Sequence, residues 1–281
     1  MSKMFRKRTL QVEVTTFCNL DCSICLRGRV DRPNRMLSFT DFRRIFDPSI
    51  CNYVGLHGWG EPLLNPELFE MIAYARSHRV VVNLTTNGTL LRERGEEILR
   101  SGLEEIAFGV YDPKLLLNCL PAIQWFIRER NKRGLKTPRT YLDVTLHQGT
   151  RNSIRDLVQL ASKAGIEAVI VHRLFDLYGV GSVAKCVSAD DERELFAQLR
   201  EVARSSKIKL YLPVKHSYPC RIVRRSVFVT VEGNITPCTY LIEEHLGSAV
   251  EQGVGKALKS TQYKGFLKRM KDHPVCSKCR W

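Results

Sequence analysis

The chain has 281 residues, of which 44% are hydrophobic, enough to bury the core of one large α/β domain, alone or with a small appendage. No run of 18 apolar residues occurs, and the basic start Met1–Arg8 lacks a signal-peptide apolar stretch, which excludes a membrane span and favours a cytoplasmic location. The net charge of +15 is consistent either with an ordinary basic surface or with attraction to an anion, such as a phosphorylated sugar, nucleic acid, acidic peptide or acidic redox protein.

Apolar, β-rich segments alternate with helical patterns over about the first 205 residues. Six strands are predicted at Leu10–Val14, Tyr53–Leu56, Val80–Leu84, Glu105–Val110, Tyr141–Leu146 and Ala168–His172. Six helices are predicted between and after these strands. The first opens at Ser38 and Thr40, and the second runs from the Asn65-Pro66-Glu67 cap to about Ser77. The other four cover Leu90–Arg100, Pro113 to about Arg133, Ile154–Ala164 and Asp190–Ser205. This alternation predicts an α/β fold, a partial (β/α)6 TIM-like barrel with its site at the carboxyl ends of the strands.

The pattern changes after about Lys207. Strands predicted at Ser226–Val231 and Ile235–Cys238 flank a hairpin turn at Glu232-Gly233-Asn234, and a helical stretch covers roughly Val254–Lys271. A tail of this size cannot build a large core of its own. We therefore predict two domains, a barrel over 1–206 and a small β-hairpin plus helix domain over 207–281, which a metal cluster would hold together.

The ten cysteines point to metal rather than to disulfides, because nothing supplies an oxidising compartment. Seven of them form two groups near the two ends of the chain. Cys51, Cys119 and Cys186 have no partner at ligand spacing and are predicted to be buried or incidental thiols.

The first group, Cys18, Cys22 and Cys25, has the spacing Cys-x3-Cys-x2-Cys directly after the first predicted strand. Three thiolates on one loop can bind three irons of a cubane cluster and leave the fourth iron open to a small molecule. The spacing alone also allows zinc with a distant fourth ligand.

Two further motifs lie at strand ends: His57-Gly58-Trp59-Gly60-Glu61-Pro62 after strand two, and Thr85-Thr86-Asn87-Gly88 after strand three. Together with the cysteine spacing and the aromatic residue before Cys18, they resemble the radical S-adenosylmethionine superfamily over about residues 8–205. That resemblance implies a [4Fe–4S] cluster whose open iron binds S-adenosylmethionine. It also implies a 5′-deoxyadenosyl radical that abstracts hydrogen from a substrate.

The resemblance also implies which residues contact the cofactor: Phe17, Gly58, Trp59, Gly60, Glu61, Pro62, Thr86, Asn87 and His147. Two departures from the family pattern are visible. Trp59 stands in place of the first glycine of the family's Gly-Gly-Glu-Pro segment, and Phe108–Asp112 stands where Ser-x-Asp is common. Tyr111, Arg173 and Asp176 lie near the expected mouth as candidates for substrate contact, and no general base can be assigned.

The second group is Cys220, Cys238, Cys276 and Cys279. Its Cys…Gly-x4-Cys hairpin resembles the auxiliary-cluster domains called SPASM and Twitch, and the end at Trp281 favours the shorter Twitch type with one cluster. Four thiolates would saturate one [4Fe–4S] cluster, which could then accept an electron from a substrate radical. Zinc is the alternative, because four cysteines also form structural zinc sites.

The leading hypothesis is a radical oxidoreductase acting on a small polar substrate such as a sugar or cyclitol, by similarity to the Twitch-type dehydrogenase of aminocyclitol biosynthesis. Maturation of a ribosomal peptide is an alternative, although Cys18 lies too near the start for a preceding leader-binding domain. Nucleoside or RNA modification is a third, motivated by the charge; the scattered basic residues favour other anions over nucleic acid. The complete ligand motif argues against a non-enzymatic iron–sulfur carrier. A flavodoxin or ferredoxin is the expected reductant, since no flavin motif is visible.

Overall fold

The computed structural model describes residues 7–279, and within them nine strands form one sheet in the order β7-β6-β5-β4-β3-β2-β1-β8-β9. The strands are β1 (Arg8–Val12), β2 (Cys51–Leu56), β3 (Val81–Thr86), β4 (Glu105–Val110), β5 (Arg139–Leu146), β6 (Ala168–Arg173), β7 (Lys209–Tyr211), β8 (Ser226–Val229) and β9 (Ile235–Thr236). All neighbouring pairs are parallel except β8 and β9. The sheet does not close on itself, so the α/β fold is a partial barrel, as predicted.

Eleven α-helices occur within the described residues. They are α1 (Phe39–Ile45), α2 (Leu68–Ser77), α3 (Leu91–Arg100), α4 (Pro113–Lys132), α5 (Gln148–Arg151), α6 (Ile154–Ala164), α7 (Ala189–Ser205), α8 (Arg221–Arg225), α9 (Ala249–Gln252), α10 (Val254–Ala257) and α11 (Thr261–Arg269). Serines begin several of them: Ser38 and Ser188 each accept a hydrogen bond from the backbone of the helix that they precede. Gly165, in the left-handed region at φ 85°, ends α6 as predicted.

The strands of the barrel present different chemistry on their two faces. In β5, Leu142, Val144 and Leu146 are fully buried, whereas the alternating Tyr141 and Asp143 are only partly buried on the opposite face. Because side chains alternate along a strand, the apolar face packs against the helices and the polar face lines the barrel interior. The interior is therefore polar, which suits a binding site rather than a packed core.

The C-terminal hairpin extends the barrel sheet. Strand β8 pairs in parallel with β1, and β9 pairs antiparallel with β8 around a turn in which Gly233 has φ 83°. Val227, Val229 and Phe266 belong to the same buried core as the barrel. The sequence predicts the hairpin but not its union with the first strand, because strand pairing between distant segments leaves no local signal.

Several boundaries differ from the prediction. The stretch predicted as one helix over Val254–Lys271 is divided, because Ser260 ends one turn and caps the next helix. The N-cap position of α2 is Glu67 rather than Asn65, but Asn65 Oδ1 accepts from Glu67 N at 2.9 Å, while the Asn65 amide donates to the carbonyls of Val14 and Leu37. The elements β7, α5, α8 and α9 were not predicted, since each has five residues or fewer. None of the helices within residues 7–279 combines the length and the apolar character needed to cross a membrane.

Candidate active site

The first cysteine group lies on the loop that follows β1. Cys18, Cys22 and Cys25 are free, half-buried thiols, and the backbone N–H of Cys25 donates to the Cys22 carbonyl at 2.9 Å. Burial raises the pKa of Cys22, with the neighbouring Cys18 thiolate adding to the effect, and burial likewise raises the pKa of Cys25 to about 11. Three thiols that repel one another as thiolates fit a cationic iron cluster, whose charge would stabilise the deprotonated forms.

The loop after β2 packs directly on the cysteine loop. A Cβ atom added to Gly60 would lie 2.2 Å from the Thr15 carbonyl oxygen and 2.7 Å from that of Phe17, so only glycine fits there. The N–H of Glu61 donates to the Phe17 carbonyl at 2.8 Å. Phe17 itself is 39% exposed at the surface of this loop. Gly58 is equally confined, because its added Cβ would lie 2.5 Å from Glu13 Cγ.

Replacing Gly60 by alanine should therefore displace the cysteine loop. We expect a loss of about 3 kcal/mol in the free energy of unfolding, the upper end of the usual cost of overpacking, because the atoms in the way are backbone. Gly28→Ala is the matched control, since the nearest atom to its added Cβ is Asp21 Oδ1 at 3.5 Å. Urea unfolding and iron content measure the effect; equal behaviour of the two variants would contradict the packing argument.

Glu61 joins the loops after β2 and β3. Its carboxylate is 1% exposed and accepts hydrogen bonds from Leu63 N at 3.0 Å, Thr86 Oγ1 at 2.7 Å and Asn87 N at 2.7 Å. Burial raises the pKa of Glu61, and these three donors oppose that rise. Pro62 follows as the first residue of a single 3-10 turn. Direct contact of Glu61 with the cofactor stays a prediction.

Asn87 lies beside the first cysteine. Its side-chain Nδ2 donates to Asn19 Oδ1 at 2.8 Å and faces Cys18 Sγ at 3.8 Å, while its side-chain Oδ1 accepts from the N–H and the hydroxyl of Thr89. The Thr86-Asn87 segment therefore meets the cysteine loop, as the strand-end argument predicts.

His147 lies at the start of α5, at the end of β5. Its Nδ1 accepts from Gly149 N at 3.1 Å, which leaves the proton on Nε2, and within residues 7–279 that buried N–H faces the backbone of Tyr111 without a hydrogen bond of good geometry. Burial lowers the pKa of His147, while the backbone of Tyr111 opposes the shift. A neutral ring with a buried N–H donor fits a polar ligand at this strand end.

Tyr111, at the end of β4, lies next to the cysteine loop. Burial raises the pKa of Tyr111 far above its ordinary value, and the thiolate of Cys25 and the carboxylate of Asp143 raise it further. Arg173 and Asp176 have other partners: Arg173 pairs with Glu192 at 2.6 Å, and Asp176 Oδ1 accepts from Gly181 N at 2.8 Å. Both contacts stabilise the segment after β6, and a catalytic role for these three residues stays a prediction.

The second cysteine group surrounds one small cavity. Cys220, Cys238, Cys276 and Cys279 all line a space of about 40 Å³. Burial raises the pKa of Cys238 to about 12 and that of Cys276 to about 11, and other thiolates of the group add to both shifts. Four thiols around one cavity fit a saturated cluster. Within residues 7–279, no three His, Cys, Asp or Glu side chains are arranged to hold a single metal ion.

Sequence reasoning missed a polar cluster inside the barrel. His172 Nε2 lies 3.2 Å from Asp143 Oδ1, and Gln11 Nε2 lies 3.3 Å from His57 Nδ1. Burial lowers the pKa of His57 to about 4; at His172 burial also acts downward, but the Asp143 carboxylate outweighs it and raises the pKa. The signal in the sequence is the polar–apolar alternation of β5, in which Asp143 lies between Leu142 and Val144.

A cavity of about 470 Å³ connects this polar cluster with the second cysteine group. Gln11 and His172 line one part of it, and Cys220, Cys238 and Thr239 line another. The volume is in the range of small-molecule sites.

Sequence comparison agrees with this arrangement. The family model for the radical SAM superfamily matches residues 12–181, and the SPASM model, an iron–sulfur cluster-binding domain, matches residues 220–280. The chain therefore belongs to the radical SAM superfamily and is a radical SAM enzyme with an auxiliary iron–sulfur domain. Its cofactors are a radical-site [4Fe–4S] cluster, S-adenosylmethionine and an auxiliary cluster.

Among its relatives is the cofactor-modifying protein of the tungsten-containing aldehyde ferredoxin oxidoreductase of Pyrococcus furiosus, 21% identical over 96% of this chain and 86% of that protein. Streptococcus suis SuiB bound to S-adenosylmethionine has a similar structure, with a TM-score of 0.79 and 17% identity, covering 98% of this chain and 71% of SuiB. SuiB is also known bound to its precursor peptide SuiA. BtrN with AdoMet and 2-DOIA has a TM-score of 0.57 and 18% identity, covering 99% of this chain and 94% of BtrN.

Proposed function

We propose that this radical SAM enzyme oxidises its substrate, with the auxiliary cluster as the electron acceptor. When bound, the radical-site cluster and S-adenosylmethionine supply a 5′-deoxyadenosyl radical that abstracts hydrogen. In this proposal residues 1–206 hold the radical chemistry, residues 207–281 hold the auxiliary cluster, and residues of both parts line the substrate cavity.

The 470 Å³ cavity is the observation that carries the proposal. It extends from Gln11 and His172 inside the barrel to Cys220 and Cys238 of the auxiliary group. A substrate in this cavity would lie within reach of the barrel interior and of the electron acceptor at the same time. Tyr111 follows β4 and interacts with the Cys25 thiolate, and His147 follows β5; neither residue lines this cavity.

Oxidation of an alcohol to a ketone removes two hydrogens, one as an atom and the other as a proton and an electron. The pair of His172 and Asp143 provides an imidazole whose pKa is raised by the adjacent carboxylate. His57, by contrast, stays neutral because burial lowers its pKa to about 4. Environments that move two histidines in opposite directions are typical of acid–base sites. The small polar substrate, such as a sugar or cyclitol, is therefore our first candidate.

A peptide is the second candidate, favoured by the mouth of the cavity. Tyr211, Val214 and Ile222 line the cavity and are 51%, 60% and 38% exposed, and Lys215 and Arg221 line it too. An apolar and basic entrance suits a peptide segment that carries acidic residues. The precursor peptide bound by SuiB, a structure with the same fold, supports this candidate.

We further propose a cytoplasmic enzyme reduced by a flavodoxin or ferredoxin, since all ten cysteines are free thiols and the net charge of +15 favours acidic carriers. We do not extend the proposal to nucleoside or RNA modification, because no feature of the cavity favours a base over another polar group.

Anaerobic assays of the reconstituted enzyme test the proposal. Cyclitols and acidic peptides are each added with dithionite and S-adenosylmethionine, and mass spectrometry follows 5′-deoxyadenosine and the loss of two hydrogens from the additive. Cys238→Ala should still form 5′-deoxyadenosine but lose oxidised product, because only the auxiliary group is disrupted. Product of unchanged yield from Cys238→Ala, or a product with no loss of hydrogen, would overturn the proposed oxidation.

A further inference from the structure

Trp59 contacts Cys25 of the first group and Thr239, the residue that follows Cys238 of the second group. Neither its place in the motif nor the proposed function explains its side chain. On one side, the backbone carbonyl of Trp59 lies 3.9 Å from Cys25 Sγ, and its N–H faces Glu13 Oε1 at 3.3 Å. The backbone of Trp59 is therefore part of the wall around the first cysteine group.

The side chain of Trp59 reaches the second group. Its indole Nε1–H donates to the carbonyl of Thr239 at 2.8 Å, and Thr239 directly follows Cys238. The indole ring also meets the Tyr240 ring edge-on, with the centroids 5.7 Å apart, and Tyr240 stacks on Phe175 at 4.4 Å. One residue thus joins the surroundings of Cys25 to the residue next to Cys238.

We propose that Trp59 is an electron relay between the two cluster sites. The auxiliary cluster, once reduced, loses one electron, and the radical-site cluster, oxidised by its own reductive cleavage of S-adenosylmethionine, gains it. No bond forms or breaks and no proton moves in this step. That the electron comes from the substrate radical during turnover rests on the proposed function. The transfer of an electron through Trp59 does not rest on it.

The chemistry of the residue fits the role. Electron transfer through a protein weakens steeply with the gap to be crossed, and a packed aromatic ring fills that gap with polarisable electrons. The hydrogen bond to Thr239 and the contact with Tyr240 fix the ring against the second site, whereas a glycine would leave the space without an aromatic bridge. The enzyme would then need less external reductant, because an electron taken from the substrate can reduce the radical-site cluster for the next cycle.

The test uses the holoenzyme without any substrate. Wild-type, Trp59→Leu and Trp59→Phe enzymes carry both clusters, are reduced with dithionite, and are freed of excess reductant before S-adenosylmethionine is added. Freeze-quench EPR follows the reduced auxiliary cluster, and chromatography counts 5′-deoxyadenosine per chain. Trp125→Phe is the control, because the Trp125 ring lies beside Arg92 in the helical layer.

In the wild type and in Trp125→Phe we expect the auxiliary signal to decay as 5′-deoxyadenosine rises past one equivalent per chain. In Trp59→Leu we expect the decay to slow about tenfold, or ~1.4 kcal/mol in apparent barrier, with an intermediate rate in Trp59→Phe. Phe retains an aromatic ring but not the N–H donor. If both variants slowed the decay equally and also changed the spin–spin coupling between the clusters, Trp59 would only position the two cluster sites, and the relay would be overturned. A persistent auxiliary signal in the wild type, or unchanged decay in Trp59→Leu, would also overturn it. None of these results depends on whether the substrate is oxidised.

Discussion

Replacing Cys22 by alanine is expected to abolish cleavage of S-adenosylmethionine while leaving the auxiliary cluster in place. Two thiolates cannot hold the radical-site cubane with its open iron, whereas the second cysteine group keeps all four of its ligands. Iron should fall from about eight to about four per chain, as expected for two [4Fe–4S] clusters reduced to one. Iron and sulfide analysis and 5′-deoxyadenosine formation under dithionite measure both effects.

Cys186→Ser is the control for this variant. Cys186 is an exposed thiol whose Sγ lies 3.6 Å from the Leu174 carbonyl, and it belongs to neither cysteine group. It should retain full iron content and full cleavage. If the Cys22→Ala enzyme cleaved S-adenosylmethionine at the wild-type rate, the loop after β1 would not be the radical site.

The second large effect is expected at Arg32, which holds the cysteine loop to the hairpin. Glu13 is 0% exposed and its carboxylate pairs with Arg32 at 2.6 Å, while Arg32 also pairs with Glu232 at 2.9 Å. The same carboxylate accepts from Trp59 N and from Val231 N at 3.1 Å. Arg32→Met leaves a buried carboxylate without its cation, and we expect a loss of about 3–5 kcal/mol in the free energy of unfolding.

Two further variants separate the pair from the individual side chains. Glu13→Gln combined with Arg32→Met should recover part of the loss, because no uncompensated charge remains. Arg133→Met, which removes an exposed partner of Glu96 at 2.6 Å, should change stability far less. Urea unfolding under anaerobic conditions gives all three values. Similar losses for Arg32→Met and Arg133→Met would mean that burial does not set the energy of the Glu13 pair.

The sequence predicts the barrel strands well because each has a local signature. The six predicted strands are all present with bounds that differ by a few residues, and β4 was predicted exactly as observed at Glu105–Val110. The meeting of the three loops after β1, β2 and β3 also follows from the sequence, because parallel strands end at one edge of a sheet. Gly60 against Thr15 and Asn87 against Cys18 are the contacts that bear out this expectation.

The contacts that depend on distant segments could not be predicted. Asp143 and His172 lie on different strands, and only the β5–β6 register brings their side chains together. The indole of Trp59 reaches Thr239 across 180 positions, and nothing near residue 59 indicates that partner. The resemblance predicts that Glu61 contacts the cofactor, whereas its hydrogen bonds to Thr86 and Asn87 on the loop after β3 could be found only from the three-dimensional packing.

The parallel pairing of β1 with β8 has a consequence for the order of events during protein synthesis. The strand that leads into the Cys18 loop has its second neighbour at Ser226–Val229, so this neighbour leaves the ribosome only when most of the chain has been made. Until then one edge of β1 is unpaired, and the loop that carries the three thiols follows a strand with only one neighbour. The strand that leads into the radical site therefore has both of its neighbours only after residues 226–229 have been made.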